Sequence, residues 1–470
     1  MTDFNSRIRP RTARRMSRLG AAGALAALAA LAGCNSDKLL EVPDIDVISP
    51  DVLVGRSVLP SALAAAIGDF GVAYAGSNGS EGQNQITGLF VDEFINAESF
   101  PTRIEVDQRN INPINATMLT IFRDIARARA TSDAVASRFK EFDATNRSYA
   151  EVLALGAFSR VLLAENYCSG VPLSNANADG SFTFGKPQTT TQLLNESIAK
   201  FDSAITIATA AGTGGAQQLN LARIGKGRAL LDLGRFADAA TAVAAVPGNY
   251  RYLIFHSENS GRQNNGIYAF AQLGRRFAIP DREGGNGLPF ASLSDPRAPV
   301  FRASATAIGF DAVTPLTVTS KYNFDTRKTP TPLAEGSEAR LIEAEAALQG
   351  GNLVLYLDKL NEARAVSVTY PPTAAGGANA ARPAAIAAPP ATLDGQVDLL
   401  FQERALTMFL TSHRLGDLRR LVRQYGRGAE TVFPTGAYFK GGVYGTDVNL
   451  VIPFEERNNP EFTGCIDRKA

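Results

Sequence analysis

The segment GKGRALLDLGRFADAATAVAAVP, residues 225–247, constrains the fold more than any other stretch of the chain. It reads as a helix, a glycine turn and a second helix. Gly227 is small where the two helices would approach, and Leu230 supplies a large apolar contact. Gly234 makes the turn, Phe236 opens the second helix, and Ala239 is small at the crossing. One such pair has too little apolar surface to stand alone, so it needs neighbours of the same kind. The plan recurs in EARLIEAEAALQGGNLVLYLDKLNEARA, residues 338–365, with Gly350 and Gly351 at the turn.

That spacing resembles a tetratricopeptide repeat, although Pro247 arrives about one helical turn early. With helices over 146–167 and 189–210 as a further pair, it predicts a right-handed stack of helix pairs. The expected fold is therefore mainly α: a tetratricopeptide-like helix-pair scaffold with loop-rich inserts and a few short strands. Apolar periodicity places further helices near 50–75, 84–97, 112–141, 216–234, 235–246, 334–349, 353–367, 393–411 and 414–425. Residues 248–333 break the pattern with Tyr250, Tyr252, Tyr268, Tyr322, many Gly and Pro, and alternating pieces such as PLTVTSKY. Loops and short strands are expected there. Residues 370–392 are an Ala/Pro/Gly loop. Such inserts on a helical stack are where binding sites concentrate.

The N-terminus is of another kind. From Leu19 to Ala32 the chain is small or apolar throughout, behind Arg7, Arg9, Arg11, Arg14, Arg15 and Arg18. As a helix the run would measure about 21 Å against a hydrocarbon core of about 30 Å, too short to span comfortably. It has no polar face and so does not suit a core helix. Residues 1–33 read as a signal peptide, with Met16 an alternative start to Met1. Its end, LAGC (Leu31 to Cys34), resembles a lipobox, which implies a diacylglycerol on Cys34 and a lipidated tether over 34–49. Asn35 after that cysteine favours the outer membrane. Nothing else in the sequence reads as long and apolar enough to cross a bilayer, and 50–470 is expected to be a single domain.

The formal charge is +1, and removing residues 1–33 takes six Arg and one Asp, leaving −4. A mildly acidic chain is unsuited to a general nucleic-acid grip. Cys168 and Cys465 remain, either as a disulfide in an oxidising compartment or as two buried thiols. The two histidines, His256 and His413, exclude a His-rich zinc site, and no metal or cofactor is expected.

Four segments together resemble the SusD/RagB family of outer-membrane lipoproteins. They are CNSDKLLEVPD at the mature start, GAFSRVLLAENYCSGVPLS (156–174), LFQERALTMFLTSHRLGDLRRL (400–421) and NLVIPFEERNNPEF (449–462). His413 replaces the glycine usual before that family's arginine, and Trp is absent. The resemblance implies a substrate-binding lipoprotein without catalysis. It would face the cell exterior from the outer membrane, partner a TonB-dependent transporter and take a small nutrient ligand, whether glycan, peptide or another. A helical scaffold for envelope assembly and a lipid-anchored glycan hydrolase are the rival expectations.

Within the family motif, Glu403, Arg404, Arg414 and Asp417 are expected to form an internal ion-pair and capping network, with ligand or partner contact as the alternative. His413 is expected to be structural. The loops 96–112 and 279–290 mix charged, amide and aromatic residues, and they offer Arg103, Asp107, Arg109, Arg282 and Asn286, with Tyr322, as ligand-binding candidates. Residues GGNG in the second loop lack the strand and helix of a phosphate cradle. No G-x-S-x-G elbow is present, and no spacing specifies a carboxylate pair across a cleft, so no catalytic residue is proposed.

Overall fold

Side-chain caps set where the long helices begin. Asn115 Oδ1 accepts from Met118 N at 3.1 Å and starts α4 (Ala116–Phe142). Asn146 Oδ1 accepts from Ser148 N at 2.9 Å and starts α5 (Arg147–Asn166). Thr189 and Gln192 form a reciprocal capping box ahead of α6 (Thr190–Ala210). Each cap supplies an acceptor for an N–H that has no partner within the helix. Before these helices lie α1 (Leu59–Ala75), α2 (Gln83–Phe90) and α3 (Pro101–Asp107). After them come α7 (Ala216–Asp232), α8 (Phe236–Val243), α9 (Gly336–Gln349), α10 (Leu353–Val366), α11 (Leu393–Thr407) and α12 (Arg414–Tyr425).

The structure, a computed structural model, describes residues 55–177, 179–319, 321, 327–366 and 382–470. From Gly55 onward the described residues form one compact unit. Cys34, Tyr322, the signal and tether segments and most of the 370–392 insert lie outside the described residues.

Consecutive helices pack on one another, α4 on α5, α5 on α6, α6 on α7, α7 on α8, α8 on α9 and α9 on α10. That is the helix-pair stack, mainly α with short strands. Helix α5 is its axis: from Val152 to Asn166 every residue is buried. Gly234, at φ 72°, turns α7 into α8. A Cβ on Gly227 would lie 2.5 Å from Val243 Cγ1 and 3.3 Å from Ile342 Cδ1, so the missing side chain is what lets α7 approach α8 and α9.

Residues 248–333 run as short strands and single helical turns. Strand β6 (Arg251–Ile254) pairs antiparallel with β10 (Thr331–Glu335), and β8 (Val300–Arg302) with β9 (Thr317–Thr319). Strand β1 (Ile95–Asn96) pairs with β7 (Phe277–Ala278), tying this insert to the segment after α2. Two further ladders, β2 (Val171–Pro172) with β5 (Pro187–Gln188) and β3 (Asn175–Ala176) with β4 (Phe182–Thr183), follow α5.

Four expectations are corrected. The helix expected over 84–97 ends at Phe90, because the N–H groups of Glu93 and Phe94 fold back to Gly88 O and release Ile95 and Asn96 into β1. The loop expected over 96–112 contains α3, with Pro101 at its first position, where proline's fixed φ suits a helix start. The helix expected over 393–411 stops at Thr407, and Leu410 and Ser412 take φ of 55° and 58° before α12 begins. Finally, Arg56–Ala75 is long and apolar enough by composition to cross a membrane, yet Ala66, Phe70 and Tyr74 are buried within the protein's core.

The disulfide is formed: Cys168, two residues past α5, is bonded to Cys465 across 297 residues. Around it Ile466 N donates to Ser169 O at 2.8 Å and Ser169 N to Asp467 O at 3.1 Å, so the last residues lie along the end of α5.

Candidate functional site

Pieces too short to be notable alone meet in a groove of roughly 830 Å³. They are β1 with the turn after it, α3, and the segments 280–284, 311–315 and 437–444. Ile95, Ile104, Pro280, Val313 and Pro315 give it an apolar wall, and Arg282 is exposed beside them. Lys440 stitches the pieces together. Its Nζ donates to Asn96 Oδ1 at 2.8 Å and Glu98 O at 2.5 Å, and pairs with Asp311 Oδ2 at 2.8 Å. Partial burial would raise the Asp311 carboxyl, but the hydrogen bonds from Lys440 and Thr314 outweigh it and hold the group well below the usual carboxylate range.

The same Lys440 lies 5.6 Å from the ring centroid of Phe439, which lines the groove and remains 48 % exposed. A half-exposed aromatic face in a concavity offers a flat apolar platform. Beneath it Tyr438 packs edge-on against both Phe439 and Tyr444, at 4.8 and 5.3 Å between centroids. Tyr438 donates to Asp107 Oδ2 at 2.6 Å, and Tyr444 to Glu283 Oε1 at 3.0 Å. Gly284 lets the 280s turn close onto the next segment, since a Cβ there would meet Pro434 Cα at 2.6 Å.

Among the residues singled out from the sequence, Arg282 lines the groove and Asp107 sits in its floor. Arg103 stands behind it, paired with Glu81 and with Glu98 at 2.6 Å, its guanidinium over Phe100 and Phe270. Arg109 is fully buried at φ 55°, donating to Asp447 O and Pro434 O and lying over the Phe433 ring. Asn286 Nδ2 bridges Glu430 O and Phe433 O. The structure thus brings Arg103, Asp107, Arg109, Arg282 and Asn286 around one region, with only Arg282 of the five on the groove surface. Phe439, Lys440 and Tyr444 went unread; the aromatic-glycine run TGAYFKGGVYG around them was the available signal. Among the described residues no group of three or more His, Cys, Asp or Glu is placed to hold a metal ion.

No protein-family model and no curated protein matches the chain. Solved structures do. A SusD superfamily protein from Bacteroides fragilis superposes with a TM-score of 0.62 at 14% identity, over 87% of this chain and 99% of that one. A SusD-like carbohydrate-binding protein from the same species gives 0.61 at 14% identity, again over 87% and 99%. A laminarin-binding SusD-like protein gives 0.59 at 15%, over 88% and 99%. The fold is SusD-like.

Within this SusD-like fold the motif residues form a buried charge lattice. Arg404 holds Asp417 at 2.8 Å, and Asp417 takes Arg420 at 3.0 Å; Arg420 in turn pairs with Glu345 at 2.5 Å. Glu403 is shared by Arg297 and Arg364 at 2.6 and 2.5 Å. Arg414 and Asp417, one turn apart on α12, do not pair with each other: Arg414 grips Asp92 at 2.7 and 2.8 Å. Asp92 Oδ2 also accepts from Leu288 N at 2.8 Å, so the motif reaches the loop that supplies Arg282 and Glu283. Burial opposes the Asp417 charge, but Arg404 and Arg420 prevail and hold its carboxyl far below the ordinary value. Arg419 donates to the carbonyls of Ala164, Glu165 and Tyr167, finishing α5 where its last carbonyls have no helical partner.

His413 is buried, which with the nearby Arg228 keeps it neutral. Its Nδ1 lies 2.9 Å from Thr411 O and its Nε2 3.0 Å from Glu338 Oε1. Burial pushes Glu338 up to about 7. The assignment that satisfies both contacts has Nδ1–H donating to the carbonyl and a protonated Glu338 donating to Nε2. Burial likewise lowers His256 to about 4, with Nε2 3.0 Å from Thr331 Oγ1.

Proposed function

We propose that the chain is a non-catalytic, lipid-anchored glycan-binding protein of the outer membrane that serves a TonB-dependent transporter. The observation that carries this reading is the groove of roughly 830 Å³ holding the half-exposed Phe439 ring, on a fold whose neighbours include proteins named as carbohydrate- and laminarin-binding. A sugar ring presents an apolar C–H face that can lie on such a platform, while its hydroxyls reach polar groups at the rim such as Arg282, Asp281 and Ser99. Of the carboxyls lining the groove, Glu98 is paired with Arg103 and Arg276, Asp311 with Lys440, Asp281 accepts from Ser292, and Glu283 accepts from Tyr444. Engaged in this way they favour holding a glycan over cleaving it. An assembly scaffold would have no use for the groove.

The test is calorimetric titration of the mature protein with a panel of oligosaccharides, laminarin fragments among them. Binding that falls about tenfold or more in Phe439→Ala supports the reading, the scale expected of a central aromatic anchor. A panel that shows no binding, or a variant that binds like the wild type, overturns it. The lipobox ending at Cys34 supports the anchor: Cys34→Ala is expected to leave the membrane fraction, and retention there would refute lipidation. Recovery of the protein from outer membranes without a TonB-dependent barrel would remove the partner.

A further inference from the structure

At the floor of the groove two acidic side chains, Asp107 and Glu283, lie close together. Asp107 is wholly buried and Glu283 is buried at the groove wall, each held by one of two tyrosines, Tyr438 and Tyr444, whose ring centroids are 5.3 Å apart, and each carboxyl acts electrostatically on the other. Asp107 Oδ2 accepts from Tyr438 and from Asn96 N at 2.8 Å, whereas Oδ1 has no donor; Glu283 Oε1 accepts from Tyr444, whereas Oε2 has no donor. Two ionised carboxylates arranged in this way would leave buried oxygens unsatisfied beside a like charge, which a single proton between them cures.

The charged groups around the pair are already committed. Asp92, which faces Glu283, is held by Arg414; Lys440, which faces Asp107, is held by Asp311; and Arg109, near Tyr444, is paired with Glu430. Lys440 still lowers the Asp107 carboxyl, but by less than burial raises it. Asp107 belongs to α3 and fastens β1 through Asn96; Glu283 belongs to the 280s turn; the two tyrosines belong to the segment 437–444. All of these are among the pieces that make the groove.

We propose that the groove is proton-latched: one proton shared by Asp107 and Glu283 holds α3 with β1, the 280s turn and the segment 437–444 together, so the site is closed and binding-competent below a threshold pH and loosens above it. This rests on the groove being the ligand site. Burial, together with the partner carboxyl, raises Glu283 far above the ordinary range, and burial raises Asp107 to about 6, so the pair keeps a proton at neutral pH. The sign follows. The closed state binds the proton more tightly than the open state, so closure is complete on the acid side and is lost as pH rises towards the closed-state value. While that proton is being released, the opening equilibrium grows about tenfold per pH unit.

Hydrogen exchange of the unliganded mature protein between about pH 5 and about pH 9, expressed as protection factors, tests this in peptides covering 280–288 and 437–445. The expected result is protection that falls with alkalinity in both segments together and not in α5. In Glu283→Gln, whose amide can donate to Asp107 without titrating, the fall is expected to vanish; Asp107→Asn serves if that variant does not fold. A flat wild-type profile overturns the proposal with no variant needed, as does a fall that persists in the amide variants. Because exchange is read without ligand, glycan affinity that survives the opening would count against the groove as the binding site and not against the latch.

Discussion

Asp417 stands between Arg404 and Arg420, and its side chain is 3% exposed. Removing one member of such a buried pair strands the other charge, so Arg404→Ala is expected to destabilise the protein by about 3–5 kcal/mol in urea unfolding. Glycan affinity of the molecules that remain folded should be unchanged, since Arg404 does not line the groove. The carboxyl of Asp417 is depressed, so its contribution is present above the unfolded value and disappears only as pH falls through the folded one. Glu338 has the opposite sign. Its value is raised to about 7, so its contribution is full in acid and declines as pH climbs from about 4.5 to about 7, by roughly 3 kcal/mol in all. Glu338→Gln is expected to flatten that part of the stability profile, which denaturant midpoints between about pH 5 and about pH 8 would measure. The residue types in HRLGDLRR announced ion pairs, but the partners could not be read. Asp92 lies 322 positions from Arg414 and Glu345 lies 75 from Arg420, and no periodicity links residues across such intervals.

At the scale of elements, helices were legible where a cap and a repeat of apolar positions agreed, as at Asn115, Asn146 and Thr189. At α2 the start was legible but the end was not: Gln83, Asn84 and Gln85 are as buried as Ile86 and Leu89, so polarity marks no face by which to judge where the helix stops. Legibility failed at α3, whose seven residues are too few to show a period. The crossing at Gly227 is the converse case, a single small residue that foretold a contact. Gly227→Val should overpack α7 against Val243 and Ile342 and lower stability by about 1–3 kcal/mol, read from the denaturant midpoint. The C-terminal segment depends on a covalent tie as well as its short ladder to Ser169. Cys465→Ser is expected to lower stability by about 2–4 kcal/mol and to increase proteolysis after Phe462, which limited digestion with mass analysis would show.

The whole molecule divides labour between a stack that is continuous in sequence and a groove that is not. The stack was foreseeable because each helix pair touches the next. The groove was not, because two-residue strands, single helical turns and a glycine-rich loop acquire a shared surface only after the stack has placed them. Lys440 shows the consequence most directly: it fastens Asn96, 344 residues earlier, and Glu98, 342 residues earlier. A ribosome building this chain therefore releases one wall of the groove long before the other exists, and no partial chain ending before residue 440 can hold what the finished one holds. The concavity therefore comes into being only once nearly all of the polypeptide is in place.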